Sequence, residues 1–219
     1  MKRAYLLTVA AAAALAAAVL WAAPAGSGAV NTLTPQEASG GWKLLWDGKT
    51  LNGWKQYGGA QWKVDNGALT PSGRYGWLGT EGDYDNFMLK VDFRTSASNL
   101  NSGIFLRRGR DEKDSHQIGY ELQIRDPQPN DKPYDGKPDN HNGYYTGSFS
   151  GHLKSHNEPK IVLNEWHTFE VTAQGDHFVV LYDGTKVLDA HHSAFKNGAI
   201  GLQYTGQNVE FRNIKIKPL

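Results

Sequence analysis

Asn86-Phe87-Met88-Leu89-Lys90-Val91-Asp92-Phe93-Arg94-Thr95 alternates without a fault. Phe87, Leu89, Val91 and Phe93 fall on one side, Met88, Lys90, Asp92 and Arg94 on the other. Successive side chains of a strand point to opposite faces, so this pattern predicts a β-strand with one buried face. The same period recurs downstream. Ile118-Gly119-Tyr120-Glu121-Leu122-Gln123-Ile124-Arg125-Asp126 sets Ile118, Tyr120, Leu122 and Ile124 against Gly119, Glu121, Gln123 and Arg125.

Further strands are predicted at Glu165–Gln174, Asp176–Tyr182, Thr185–Ala190, Ala199–Thr205 and Asn208–Lys217. Asp183-Gly184 and Asp65-Asn66-Gly67 supply the dipeptides of tight hairpin turns, the latter joining Gln61–Val64 to Ala68–Thr70. No window after Ala23 carries a helical stripe. These readings define an all-β fold, an antiparallel β-sandwich.

The ends are of different character. Met1-Lys2-Arg3 followed by the apolar run Ala4–Ala23 and the small residues Ala23-Pro24-Ala25 has the pattern of a secretory signal peptide cleaved near Ala25. An uncleaved anchor is the other reading, because the run is just long enough to span a bilayer. Residues 26–40 read as a flexible tether and 41–219 as one domain. Loss of Lys2 and Arg3 leaves 21 basic against 22 acidic residues, a balance without a field for nucleic acid or an anionic membrane. The chain has no Cys, so thiol and disulfide chemistry are excluded and stability rests on packing. An exported protein, periplasmic or secreted, is expected. Oligomeric state is not legible.

No nucleophile elbow, phosphate loop, dinucleotide fingerprint or His-Glu-x-x-His zinc motif is present. Chemistry therefore concentrates on the polar row of the 118–126 strand. Glu121 and Gln123 share a face; Asp126 breaks parity and needs the strand end or a bulge to join them. A solvated outer face would give the same row. Neighbouring strands add residues of matching parity: Arg107 with Phe105 and Gly103, and Gln203 with Gly201 and Thr205. Small, amide-bearing and guanidinium residues on several strands make a groove in which sugar hydroxyls can be hydrogen-bonded. Trp77, in the Gly-rich Ser72–Gly82 stretch, is the tryptophan expected to be exposed for stacking on a sugar ring. Asp126–Asn142, with four prolines, reads as a long loop, and such loops usually serve function. His141 and His152 flank the segment after it as candidate bases or ligands; Asp131, Asp135 and Asp139 could hold Ca²⁺ but lack the usual loop spacing.

Several stretches together resemble the 3-keto-disaccharide hydrolase family, which has a concanavalin A-like jelly roll. They are Leu45-Trp46-Asp47-Gly48-Lys49-Thr50-Leu51-Asn52-Gly53-Trp54, Trp62–Leu69, Asn101-Ser102-Gly103-Ile104-Phe105-Leu106-Arg107, Gly119–Asp126, Thr146-Gly147, Gly198–Gln203 and Val209–Ile216. They follow the family's order and cover nearly all of Gly41–Leu219. The chain departs from the family at Ser148-Phe149-Ser150-Gly151-His152 and in the long Pro-rich loop. The resemblance implies cleavage of 3-keto-glycosides by removal of the C2 proton, elimination and hydration. It places Glu121 or His152 as base, Arg107 as enolate or hydroxyl anchor, and Asp126 as acid or ligand of a candidate divalent metal ion. Gln123, Gln203 and Asn101 would hold hydroxyls.

A looser similarity is to jelly-roll glucanases with Glu-x-Asp-x-x-Glu on one strand. Glu121-x-Gln123-x-x-Asp126 keeps the spacing but replaces the middle carboxylate. The last carboxylate is also the shorter Asp, which would sit further from the bond than the retaining separation of about 5–5.5 Å between carboxyl groups requires. A non-catalytic carbohydrate-binding module and an envelope interaction domain are the alternatives, since a fold does not fix a function.

Overall fold

A computed structural model describes residues 29–110, 118–127, 144–157 and 159–219. The expected signal peptide and most of the Pro-rich loop, with His116, His141 and the three spaced aspartates, lie outside the described residues. The described chain runs α1 (Pro35–Ser39), β1 (Lys43–Leu44), β2 (Trp54–Asp65), β3 (Ala68–Thr80), β4 (Phe87–Arg94), β5 (Ser102–Arg108) and β6 (Tyr120–Ile124). It continues through β7 (His167–Gln174), β8 (His177–Tyr182), β9 (Thr185–His191), β10 (Ala199–Tyr204) and β11 (Glu210–Pro218). No helix among the described residues is long and apolar enough to cross a membrane.

All described pairings are antiparallel, in the order β6-β5-β10-β3-β11-β4-β7-β8-β9, with β2 added to β3 and β1 to β11. The hairpin turns are as the sequence predicts: Asn66-Gly67 and Asp183-Gly184 all have positive φ, the type I′ requirement.

β6 and β8 lie seven strand spacings apart in this order, about 34 Å in a flat sheet. Yet the rings of Tyr120 on β6 and Phe178 on β8 are 4.9 Å apart. The sheet therefore curls on itself into a sandwich. The enclosed core takes the predicted faces: Phe87, Leu89, Val91 and Phe93 of β4 pack with Ile104, Leu122, Leu202, Phe169 and Val180. β5, β6 and β10, with residues 76–80 of β3, differ from the outer strands in being buried on both sides, as their unbroken burial shows. Beyond β6, Thr146–Ser150 runs alongside and exchanges backbone hydrogen bonds with it, including Gln123 N to Ser148 O at 2.9 Å and Ser150 N to Glu121 O at 2.9 Å. That covers an edge which would otherwise offer open pairing sites.

Two expectations change here. Pro35–Ser39 is a helix, short but capped at both sides of its first turn by a Thr34–Glu37 capping box. And the described part of the 26–40 tether is docked, not loose. Asn31 and Asn213, both with positive φ, exchange side chain and backbone: Asn31 N donates to Asn213 Oδ1 at 2.6 Å and Asn213 N to Asn31 Oδ1 at 2.8 Å. Asn31 Nδ2 also donates to Gly67 O at 2.8 Å, and Lys215 Nζ meets Glu37 at 2.7 Å. Asparagine tolerates the left-handed backbone and offers both donor and acceptor, which composition alone does not announce. Asn31→Ala should cost about 1–3 kcal/mol, since it strands the Asn213 and Gly67 backbone groups. A thermal melt would read this as a fall of roughly 2–4 °C per kcal/mol.

Candidate functional site

The polar row predicted on the 118–126 strand lies on the side of β6 away from the core, inside a second, smaller cluster and not on a solvated face. Glu121 and Gln123 are about 95% buried. Register places Glu121 opposite Phe105, Phe105 opposite Gly201, and Gly201 opposite Gly79. One row along, Gln123 opposes Gly103, and Gln203 opposes Trp77, which opposes Tyr57. Trp77, Phe105 and Ala199 form the apolar heart of this face with Tyr57 against them.

Glycine makes the arrangement sterically possible. A Cβ on Gly103 would stand 2.8 Å from Glu121 Cγ, so the carboxylate side chain lies flat across β5. A Cβ on Gly79 or Gly201 would strike the Trp77 ring at 2.2 and 2.7 Å, so the indole lies flat over β3 and β10. The Glu121 side chain and the Trp77 ring thus cover a glycine-bearing floor from opposite ends.

Gln123 orients Glu121. Its carboxamide nitrogen sits 3.1 Å from Glu121 Oε1 and 3.1 Å from Ser102 O, and the other end of the carboxamide lies 3.2 Å from Asn101 Oδ1. The opposite amide orientation would set its oxygen against two acceptors, so the surroundings select this one. Such a charge-assisted bond fixes the carboxylate's direction. Two buried polar atoms on the same face, Trp77 Nε1 and Gln203 Oε1, have no hydrogen-bond partner among the described residues. One is a donor and the other an acceptor, on cross-strand neighbours. Hydroxyl groups satisfy both kinds of atom.

Arg107 is not on this face. Between Ala199 and Gly201 the β10–β5 register shifts, so two steps on β10 answer three on β5. The inserted residue is Arg107, in left-handed backbone at φ 52°. This bulge reverses the alternation. Arg107 turns to the other side, where Nε donates to Asp85 O at 2.8 Å and Nη1 to Gly175 O at 2.7 Å and Phe195 O at 3.1 Å. Its guanidinium also sits over the Phe178 ring, and burial lowers its pKa from the ordinary value. Arg108 takes the vacated parity. Its Cζ lies 4.4 Å from the Phe105 ring centre and 4.7 Å from that of Trp77. Glycines flank the bulge closely: a Cβ on Gly198 would meet the Arg107 carbonyl carbon at 2.5 Å, and one on Gly119 the Arg108 Cα at 2.6 Å.

Three more expectations move. Trp77 belongs to β3, within a strand and not a turn, and is 2% exposed beneath Tyr57, whose ring stacks on it at 4.1 Å and 10°. Asp126 lies past the end of β6 and its Oδ2 accepts from Ile161 N at 3.1 Å, so it fastens the later loop. His152 packs against the core-side residue Tyr120, with ring centres 5.5 Å apart, beside His192 at 4.7 Å. Tyr120 and Glu121 point to opposite faces, so His152 does not join Glu121, and Asp126 is held by Ile161 N past the strand end. Asn101 reaches the site's rim through Gln123. Arg108, Tyr57 and Phe105 were not singled out from the sequence; the Asn-Ser-Gly-Ile-Phe-Leu-Arg-Arg run holds two arginines, and only the bulge decides between them. Among the described residues no three His, Asp or Glu side chains converge as a metal cradle, so no metal ligand set is assigned.

Comparison with known proteins adds the following. The profile of the 3-keto-α-glucoside-1,2-lyase-like domain matches residues 41–217. A 3-keto-disaccharide hydrolase of Bacteroides thetaiotaomicron is 25% identical over 82% of this chain and 79% of its own. A Parabacteroides distasonis protein described as a candidate glycosyl hydrolase superposes with TM-score 0.74 at 23% identity, covering 87% of this chain and 99% of that one. The carbohydrate-binding module CBM66 of Bacillus subtilis superposes with TM-score 0.57 at 17% identity, over 75% and 95% of the two chains. These likenesses make the fold an antiparallel jelly-roll sandwich.

Arg107→Met should lower stability by about 1–3 kcal/mol by leaving the three carbonyls without their donor. Arg107→Lys should recover only part, because an ammonium cannot reproduce the planar fork. Urea unfolding midpoints of the three proteins measure both.

Proposed function

The chain belongs to the 3-keto-α-glucoside-1,2-lyase-like domain family, and we propose that it is an exported enzyme that cleaves the glycosidic bond of 3-keto-glycosides. The family membership supports a glycosidase-like activity on carbohydrate. The apolar run after Lys2-Arg3 supports export. The observation that carries the chemical reading is a single oriented carboxylate, Glu121, on a face that also holds Arg108, Gln203 and Trp77.

In a 3-keto sugar the ketone acidifies the proton on C2. Glu121 takes that proton, and the electron pair of the C2–H bond becomes the enolate of C2, C3 and O3. Collapse of the enolate restores the ketone, forms the C1–C2 double bond and expels the C1 substituent, which leaves with a proton. Water then adds, its oxygen to C1 and its hydrogen to C2, giving the free keto sugar. Each part of the site has a task in this sequence. Gln123 aims the carboxylate, and the Arg108 guanidinium, held over Phe105, is the cationic group suited to the enolate oxygen. Trp77 Nε1 and Gln203 Oε1 are suited to sugar hydroxyls. A base placed against the proton it removes contributes about 10²–10⁴-fold.

The likeness to CBM66 favours a second reading, a binding module without turnover. Glu121→Gln separates the two. The enzyme reading expects release of the aglycone from a 3-keto-glucoside to fall by at least about 10²-fold with binding kept. Unchanged release in the variant would remove Glu121 from the chemistry, and absence of release from the parent protein would favour the module.

A further inference from the structure

A cavity of about 310 Å³ lies behind the β5 bulge, where the chain before β4, the β7–β8 turn and the approach to β10 meet. It is on the side to which Arg107 turns, so it is separate from the face that carries Glu121. Arg107 is the buried charge in its wall, 2% exposed. A guanidinium has five N–H donors. Four bonds to the carbonyls of Asp85, Gly175 and Phe195 leave one donor, on Nη2, without an acceptor among the described residues. Those acceptors are neutral, and no carboxylate among the described residues forms an ion pair with Arg107. A buried charge is ordinarily matched by an opposite one. Burial is the larger influence here and holds the pKa of Arg107 below its ordinary value, even with Asp85 nearby.

Other donors share the wall. Asn86 uses its Oδ1 to accept from Gly175 N at 2.7 Å, which leaves Nδ2 without a partner among the described residues. Ser193 and Lys196, both exposed, add a hydroxyl and an ammonium, and the half-buried Phe195 ring adds an apolar surface. Asp85 and Asp176 line the cavity as well, but both are exposed and engaged. Asp85 Oδ1 accepts from Asn86 N at 2.7 Å, and Asp176 Oδ1 meets His191 Nδ1 at 3.0 Å. Water screens these two carboxylates, whereas the buried guanidinium acts through a lower dielectric. The volume is that of a small-molecule site and exceeds what a single inorganic ion fills.

We propose that this cavity binds an organic carboxylate, whose carboxyl group accepts from Arg107 Nη2 and Asn86 Nδ2 and whose apolar body lies on Phe195. Lys196 attracts the anion at the rim. The site is independent of the role given to Glu121.

Benzoate and benzamide share a ring and differ in charge, so they serve as the probes. In titration calorimetry benzoate should bind at least about ten-fold tighter than benzamide. It should also raise the melting temperature of the protein under conditions where benzamide does not. Asn86→Asp keeps the acceptor for Gly175 N and replaces the donor by a negative charge; it should weaken benzoate at least about ten-fold. Ser193→Trp, at an exposed position, should fill the cavity and abolish binding with the melting temperature of the parent retained. Equal binding of benzoate and benzamide overturns the proposal. So does benzoate binding that survives both substitutions, which would put the anion at Arg108 on the other face. If Asn86→Asp lowers the melting temperature, Ser193→Trp alone decides. Turnover in Glu121→Gln tests the base and leaves this comparison untouched.

Discussion

The Arg107 guanidinium joins parts of the chain that the sheet order keeps far apart. It leaves β5, near one end of the sheet, and donates to carbonyls before β4, at the β7–β8 turn and in the approach to β10. Closing a curled sheet needs polar backbone at its open ends to be satisfied, and these carbonyls have no ladder partner of their own. One planar cation with donors on several sides meets them together. Its position is paid for in backbone strain, the left-handed φ of a non-glycine residue. That same bulge reverses side-chain parity at the next residue. The fastening of the sandwich and the delivery of Arg108 to the opposite face are therefore one structural event, and a regular β5 would accomplish neither.

Burial on both sides of β5, β6, β10 and residues 76–80 of β3 follows from this closure. Their core sides are ordinary aliphatic packing. Their other sides carry large groups, Trp77, Phe105, Arg108 and Glu121, that must lie down to fit. Glycines at 79, 103 and 201 remove the methylene that would lift them. Glycine interrupts a strand at some energetic cost, and here that cost is matched by close approach of side chains to backbone. The floor is rigid because each flat group rests on main chain. A carboxylate oriented by Gln123 over such a floor has little freedom to turn away from whatever it faces.

Much of the fold was legible in the sequence because period-two alternation and Asn-Gly or Asp-Gly turns act over a few residues. Phe87 to Phe93 pack as their pattern predicts, and both hairpins turn where expected. The site was legible in part. Glu121, Gln123 and Gln203 share a face as parity proposed, and Trp77 joins them there from a stretch read as a turn, whereas Arg107, Asp126 and His152 do not. Parity fails at Arg107 because one inserted residue shifts everything beyond it, and a bulge leaves no mark in composition. Trp77 was read as exposed because Gly73, Gly76 and Gly79 surround it in the chain. Those glycines belong to a strand, where Gly79 lies beneath the indole and Gly73 and Gly76 press against the backbone of β2. Asn31 looked like tether because its partner, Asn213, is at the other end of the chain.

The count of carboxylates on the working face bears on the chemistry more than the fold does. Double displacement at an acetal requires a second carboxylate, because the sugar itself cannot hold the charge that develops when the bond breaks. Here the second candidate, Asp126, is turned to Ile161 N beyond the strand end, and the residue between them on the strand face is an amide. A ketone at C3 changes that requirement. Once C2 is deprotonated, the carbonyl oxygen carries the negative charge, so the protein has to supply one base and one cationic partner instead of a nucleophile and a matched acid. In the proposed reaction Glu121, the cross-strand neighbour of Phe105, and Arg108, whose guanidinium sits over the Phe105 ring, are that complement. An amide at 123 fits the same logic. A third anionic group beside Glu121 would repel the enolate, whereas a neutral donor steadies the base and adds no charge to oppose it.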